Sequence, residues 1–190
     1  PIARVIGHVD GQTLNELQSN IEQITVGEVI KCLVENPVNT EQSHSYSADE
    51  IILSGSFEEV NTLFEREGWS DGLPIIPPTP NKVSQFLQET LDDPARVIGV
   101  LQPSGSAATI KNVAINGVMA NCHPQCMPIL VGIVEVLCDP EYGVEHSGDT
   151  TGGDGLIILN GPIAKRLGFN SGVAALRDGY RANTSVGRFL

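Results

Sequence analysis

Residues 107–138 read AATIKNVAINGVMANCHPQCMPILVGIVEVLC, and the parsing of this stretch decides the fold. Ile110, Val113, Ala114 and Val118 recur at helical spacing. Leu130, Ile133, Val134 and Leu137 do so again after the interruption Asn121-Cys122-His123-Pro124. Two apolar helices are expected, over 107–120 and 124–138, and so short a connection makes them an antiparallel pair.

Working outward, residues 96–101 read as a strand before the pair. After it, the apolar run 155–160 has strand length and is closed by the turn Asn160-Gly161-Pro162. A short helix over 163–167, a loop rich in Gly and Asn, and a last helix from about residue 183 follow. Upstream, Thr79-Pro80 is an N-cap with proline at the first helical position, and Val83, Phe86 and Leu87 form its buried stripe. Ser56-Phe57-Glu58-Glu59 is a capping box opening a helix that ends at Gly68, and residues 50–54 read as a strand before it. Farther upstream, residues 3–8 can form a short strand. Thr13-Leu14-Asn15-Glu16 is a second capping box, leading Leu14, Leu17, Ile21, Ile24, Val29, Ile30 and Leu33 along one helix bent at Gly27. The polar segment 36–49 has the composition of a linker. The expected organisation is an N-terminal appendage over 1–49, possible tail of an upstream domain, and a main domain over 50–190. The expected class is α/β, with α+β as the variant: a mixed sheet packed against several helices including the apolar pair. The abrupt start at Pro1 and the helical end at Leu190 read as cuts or processing points.

Composition narrows the function classes. Lys and Arg total 11 against 23 Asp and Glu, a formal charge of −12, and the basic residues form no run. Nucleic acid and anionic membrane surfaces are therefore poor partners, since both are held through clustered cations. No apolar run approaches the roughly 20 residues of a membrane span. The aromatic fraction is 5%, so Val, Ile, Leu and Ala must build the core. Four cysteines without a secretory pattern point to reduced thiols and a cytoplasmic setting.

Three clusters carry residue types suited to chemistry. In Asn121-Cys122-His123-Pro124-Gln125-Cys126, Pro124 suits a first helical turn and places Cys122 near the N-cap, where free N–H groups favour a thiolate. A reactive Cys122, a metal site of Cys122, His123 and Cys126, and two cysteines packed in a core are the open readings. Cys138 is structural. In Gly68-Trp69-Ser70-Asp71-Gly72-Leu73-Pro74, Trp69 is suited to cover a ligand face and Asp71 to act as a base, or the loop is an Asp-Gly turn with Trp69 plugging the core. The third cluster is Asn160-Gly161-Pro162, Asn170-Ser171-Gly172 and Gly179-Tyr180-Arg181-Ala182-Asn183-Thr184. It combines a helix start with Arg181 and suits a substrate oxyanion, or is a helix cap with a surface arginine. His146, in a polar loop, is a candidate base or partner for Cys122. No phosphate-binding glycine loop is present, and nothing specifies a cofactor.

Gly68-Trp69-Ser70-Asp71-Gly72-Leu73-Pro74-Ile75-Ile76-Pro77-Pro78-Thr79 resembles the GW(T/S)DGLPVVPPT signature of a poorly characterised bacterial family. The segments 114–122, 160–163, 170–172 and 181–188 are similar to that family's pattern too, so the resemblance spans about residues 65–190. Its members are similar to domains found beside or fused to the UGSC (seleno)protein domain, which looks like the selenoprotein component of glycine reductase. Pro1–Leu33 faintly resembles the tail of such a domain. The resemblance implies a thiol- or selenol-linked small-molecule enzyme. The leading expectation, built on it and on the three clusters, is an enzyme subunit, an oligomer with a partner subunit or upstream domain, that cleaves a small polar organic substrate in a reductive or thiol-assisted reaction. Cys122 would be the thiolate, Asp71 or His146 the proton carrier, and Arg181 with Asn170 the anchor, with Trp69, Asn160 and Asn183 lining the substrate. Cys126 departs from the pattern, which counts against a metal or disulfide there. Two alternatives stand beside this: a redox-free hydrolase or lyase using Asp71 and water, and a non-catalytic partner subunit completing another chain's active site.

Overall fold

A computed structural model of the chain describes residues 12–34, 50–102, 104–143 and 155–190. The chain divides into two units, Pro1–Tyr46 and Ser47–Leu190. In the first, the Thr13 capping box forms as the sequence specifies: the Thr13 hydroxyl accepts the Glu16 N–H, and the Glu16 carboxylate accepts the Thr13 N–H at 2.9 Å. Helices α1 (Leu14–Asn20) and α2 (Val26–Val34) follow, joined by a π-helical turn over Ile21–Thr25. The break in regularity thus precedes Gly27 rather than falling on it. No residue of α1 or α2 is buried. The strand expected over 3–8 lies outside the described residues.

The second unit is built around the apolar pair. Helix α5 (Ile110–Met119) and helix α6 (Met127–Leu137) contact each other across the connection 120–126, and Ile110, Met127 and Leu130 are fully buried in the shared core. Each such side chain contributes about 1.5–3 kcal/mol of hydrophobic stabilisation. Helix α4 (Pro80–Leu87) brings Val83 and Phe86 onto the same core. Gly117 is where α4, α5 and α6 close up, for a Cβ there would lie 2.7 Å from both Leu130 Cδ1 and Phe86 Cε1. Helix α3 (Phe57–Arg66) starts at its Ser56 capping box and buries Phe64.

The fold class is mixed α/β. Among the described residues the ladder is one antiparallel pair, β1 (Val97–Leu101) with β2 (Ser106–Thr109), the register shifting between Val97 and Gly99. Residues 107–109, expected at the head of the first apolar helix, belong to this strand instead. Thr109 is extended, and its hydroxyl accepts the Asn112 N–H at 3.1 Å, so it caps α5 rather than joining it. A β1 glycine, Gly99, lies so close to Cys138 that a Cβ would come within 2.5 Å of that side chain. Residues 50–54 and 155–160, both expected as strands, have no ladder partner among the described residues. Their β-favouring residues make a strand possible, but only a neighbour can complete one. Helices α7 (Pro162–Arg166) and α8 (Arg181–Phe189) complete the unit. No helix among the described residues is long and apolar enough to cross a membrane.

Candidate functional site

Two of the segments that look reactive in the sequence, Gly68-Trp69 and Asn121-Cys122, occupy one recurring device, a helix stop. Helix α3 runs into Gly68, whose φ of 69° lets the chain turn back. The Gly68 N–H then bonds Glu65 O and the Trp69 N–H bonds Phe64 O at 2.8 Å. This pair of bonds is the Schellman stop, which satisfies the last helical carbonyls. The hydrophobic contact that accompanies it is Trp69 against Phe64, edge to face at 5.5 Å. Helix α5 ends in the same way, with Asn121 in the left-handed position at φ 61°: Asn121 N–H bonds Val118 O, and Cys122 N–H bonds Gly117 O. Helix α7 repeats it through Gly168 and Phe169.

Cys122 therefore follows the end of α5, one residue ahead of His123, which caps a 3₁₀ turn over Pro124–Cys126. A helix C-terminus carries the partial negative charge, the wrong sign to favour a thiolate. The side chain is 3% exposed, and its thiol donates to Ser185 O on α8 at 3.3 Å. Burial pushes the thiol up to about 11, against which the Ser185 side chain and Arg181 act only in part. The expected helix-activated thiolate is thus corrected: desolvation and the opposite helix end both oppose ionisation. Burial also raises the thiol of Cys126, which is 1% exposed. The His123 ring is turned inward on its own loop, Nδ1 accepting the Gln125 N–H at 3.3 Å. No group of three or more His, Cys, Asp and Glu among the described residues is placed to hold a metal ion.

Asp71 is equally committed. The Arg188 guanidinium grips it with two bonds of 2.8 Å, one from Nε to Oδ2 and one from Nη2 to Oδ1. The Leu73 N–H adds a third at 3.0 Å. Those contacts hold the carboxyl at about 2, too acidic to take a proton at neutral pH and act as a general base. Arg188 further donates to Pro74 O and Leu73 O, each at 2.9 Å, so it fastens the whole turn. Arg181, expected to anchor a substrate, instead donates from Nε to Asn121 O at 3.2 Å and from Nη2 to Asn121 Oδ1 at 3.0 Å. Asn183 accepts the Asn170 N–H at 2.9 Å and donates to Asn170 O and Ala175 O. Asn170 in turn closes its own loop on Gly172 and Val173. Asn160 is exposed, next to Gly161, the residue capping α7. His146 lies outside the described residues.

Arg181, Ser185 and Arg188 are spaced along α8 by four and three residues, so they share one helical face. That face ties down the stop of α5 at two points and the Trp69–Pro74 turn at a third. Sequence reasoning missed Arg188 as the partner of Asp71, although it lies within the stretch 181–188 already singled out. It also missed Asn61, whose side chain accepts the Ile75 N–H at 2.6 Å and donates to Ile75 O at 3.3 Å, imitating a strand neighbour. The only signal was a polar residue one helical turn before Phe64, the buried residue of α3.

Two cavities flank α8. The smaller, about 150 Å³, has Trp69, Asp71, Asn116 and Arg188 in its wall. The larger, about 320 Å³, is walled chiefly by Ile129, Ile157, Leu159, Phe169 and Val186, with Asn183 among its polar groups. Ligand pockets usually run to about 300–1,000 Å³, so only the larger reaches that range. Trp69 and Asp71 thus share one cavity and Asn183 lines the other, while Cys122 and Arg181 line neither. Compared with protein-family models, with curated proteins and with solved structures, the chain matches none.

Proposed function

We propose that this chain is a non-catalytic partner component of an enzyme acting on a small polar organic molecule, contributing surface and shape rather than the reacting groups. The observation that carries this reading is the commitment of the expected catalytic side chains. Asp71 is held as an ion pair by Arg188, and Cys122 is a buried, protonated thiol bonded to Ser185 O. A thiolate mechanism needs an ionised, reachable sulfur, and a water-activating mechanism needs a carboxylate free to accept a proton. These contacts weigh against both catalytic readings, whereas a partner component needs neither group. Exposed Leu156, Ile158, Val173 and Leu176 supply the apolar surface such a component requires. The four cysteines are free thiols, which suits a reducing cytoplasm. The resemblance of residues 68–79 to the GW(T/S)DGLPVVPPT signature supports a UGSC-type domain as that partner.

The test has two arms. Titration calorimetry of the full chain against a UGSC-type domain is expected to give a complex in the micromolar range. Alkylation of the native thiols across a pH series is expected to leave Cys122 unmodified until the pH is well above 9. Absence of a complex overturns the partner reading. Labelling of Cys122 with an apparent pKa at or below the roughly 8.5 of a free cysteine restores the thiolate mechanism.

A further inference from the structure

The sequence contains Asn-Gly twice, and the fold treats the two pairs oppositely. Asn116-Gly117 lies inside α5, where Gly117 is buried and its N–H belongs to the helical ladder. The Asn116 amide is tied back as well, donating to Asn112 O at 2.9 Å. Asn160-Gly161 instead joins the extended segment 155–160 to α7, and both residues are exposed. Among the described residues no hydrogen bond holds the Asn160 side chain or the Gly161 N–H. Gly161 stands at φ 99°, a conformation that favours glycine, and nothing lies within 4 Å of where a Cβ would be. The nitrogen of Gly161 is therefore an unhindered, unpaired neighbour of an equally open carboxamide.

We propose that Asn160 is a modification site of this chain, deamidating spontaneously to aspartate and isoaspartate through a ring closed with Gly161. The Gly161 nitrogen gives its proton to solvent and attacks Asn160 Cγ. A bond forms between them, the Cγ–Nδ2 bond breaks, and Nδ2 leaves as ammonia. The product is a succinimide ring, and water then adds at one of its carbonyl carbons. Attack at Cγ restores the main chain with an aspartate side chain. Attack at the Asn160 main-chain carbonyl leaves the chain running through Cγ, as isoaspartate. Water is the only co-reactant, and no electrons are exchanged. Ring closure requires the Asn160 backbone to rotate, which a segment without ladder bonds among the described residues does at little free-energy cost. Helix α5 must open before Asn116 can follow. Either product adds a negative charge ahead of α7. Isoaspartate also lengthens the main chain just after Ile157 and Leu159, which wall the larger cavity.

The experiment incubates the full native chain in heavy-oxygen water at neutral pH and reads each Asn-Gly by peptide mass mapping. Heavy oxygen marks conversion that occurred during the incubation, and methylation by an isoaspartyl methyltransferase identifies isoaspartate. Asn160 is expected to convert at least about tenfold faster than Asn116. The variant Asn160→Gln, whose longer side chain closes a ring far more slowly, is expected to lose most of the methylation while keeping its far-ultraviolet circular dichroism. A native chain in which Asn160 converts no faster than Asn116 overturns the proposal. So does conversion to aspartate without isoaspartate, which is direct hydrolysis, or a methylation signal that Asn160→Gln leaves intact. None of these readouts involves a UGSC-type domain, so the partner reading stands or falls separately.

Discussion

Replacing Asp71 with Asn removes one charge and almost no volume, and so isolates the grip of Arg188 on the Trp69–Pro74 turn. A carboxylate held near 2 rather than near 3.9 stabilises a fold by about 2.6 kcal/mol at neutral pH. Asp71 keeps 47% of its side chain exposed, where water and salt screen the pair. Arg188 also retains its bonds to Leu73 O and Pro74 O in the variant. The expected cost is therefore about 1–1.5 kcal/mol, the upper range of an exposed pair, favoured by two-point geometry. Because the folded-state pKa lies below the unfolded one, the stabilisation is complete above about pH 5 and lost as pH falls through about 2, with about half left at pH 3. Trp69, the single tryptophan, stands two residues from Asp71, so its emission during urea unfolding reports on this turn. Wild type and Asp71→Asn are compared at pH 7 and pH 3. Equal midpoints at pH 7 refute the ion pair as a stabilising contact. A difference that is the same at both pH values refutes its assignment to the Asp71 charge.

Two further outcomes follow from the helix stop and the core. Asn121→Ala is expected to cost about 1–2 kcal/mol, since alanine suits a φ of 61° poorly and forfeits the Arg181 bond to Oδ1; Asn121→Gly, free of the backbone penalty, is expected to fall between it and wild type in urea midpoint, and the reverse order removes strain as the cause. Gly117→Ala is expected to destabilise by about 1–3 kcal/mol through collision with Leu130 and Phe86; stabilisation by about 1 kcal/mol, as helix propensity alone would give, shows that the three helices can part without cost.

Much of the helical framework was legible because its signals are local. Capping boxes at Thr13 and Ser56, the Thr79-Pro80 start and the periodicity of α5 and α6 involve residues within a turn or two of one another. Strand content was less legible for the opposite reason. Residues 155–160 and 97–101 are both largely apolar, yet among the described residues only 97–101 found a neighbour, and a neighbour is a property of the tertiary arrangement. Two segments of the candidate site also have a local structural reason to stand out. Gly68-Trp69 and Asn121-Cys122 stand out because a helix stop demands a left-handed residue followed by an apolar one, and that demand mimics the density of a reactive cluster. Partners more than 60 residues away, Ser185 for Cys122 and Arg188 for Asp71, carry no local signature.

The row of ties along α8 makes the Cys122 sulfur a reporter as well as a bond. Its tie to Ser185 lies between those made by Arg181 and Arg188, so α8 must lift before a reagent can reach it. The rate at which Cys122 is modified under native conditions then measures how often this seam opens, much as amide exchange measures a local unfolding. Weakening either outer arginine quickens that clock without touching the thiol itself.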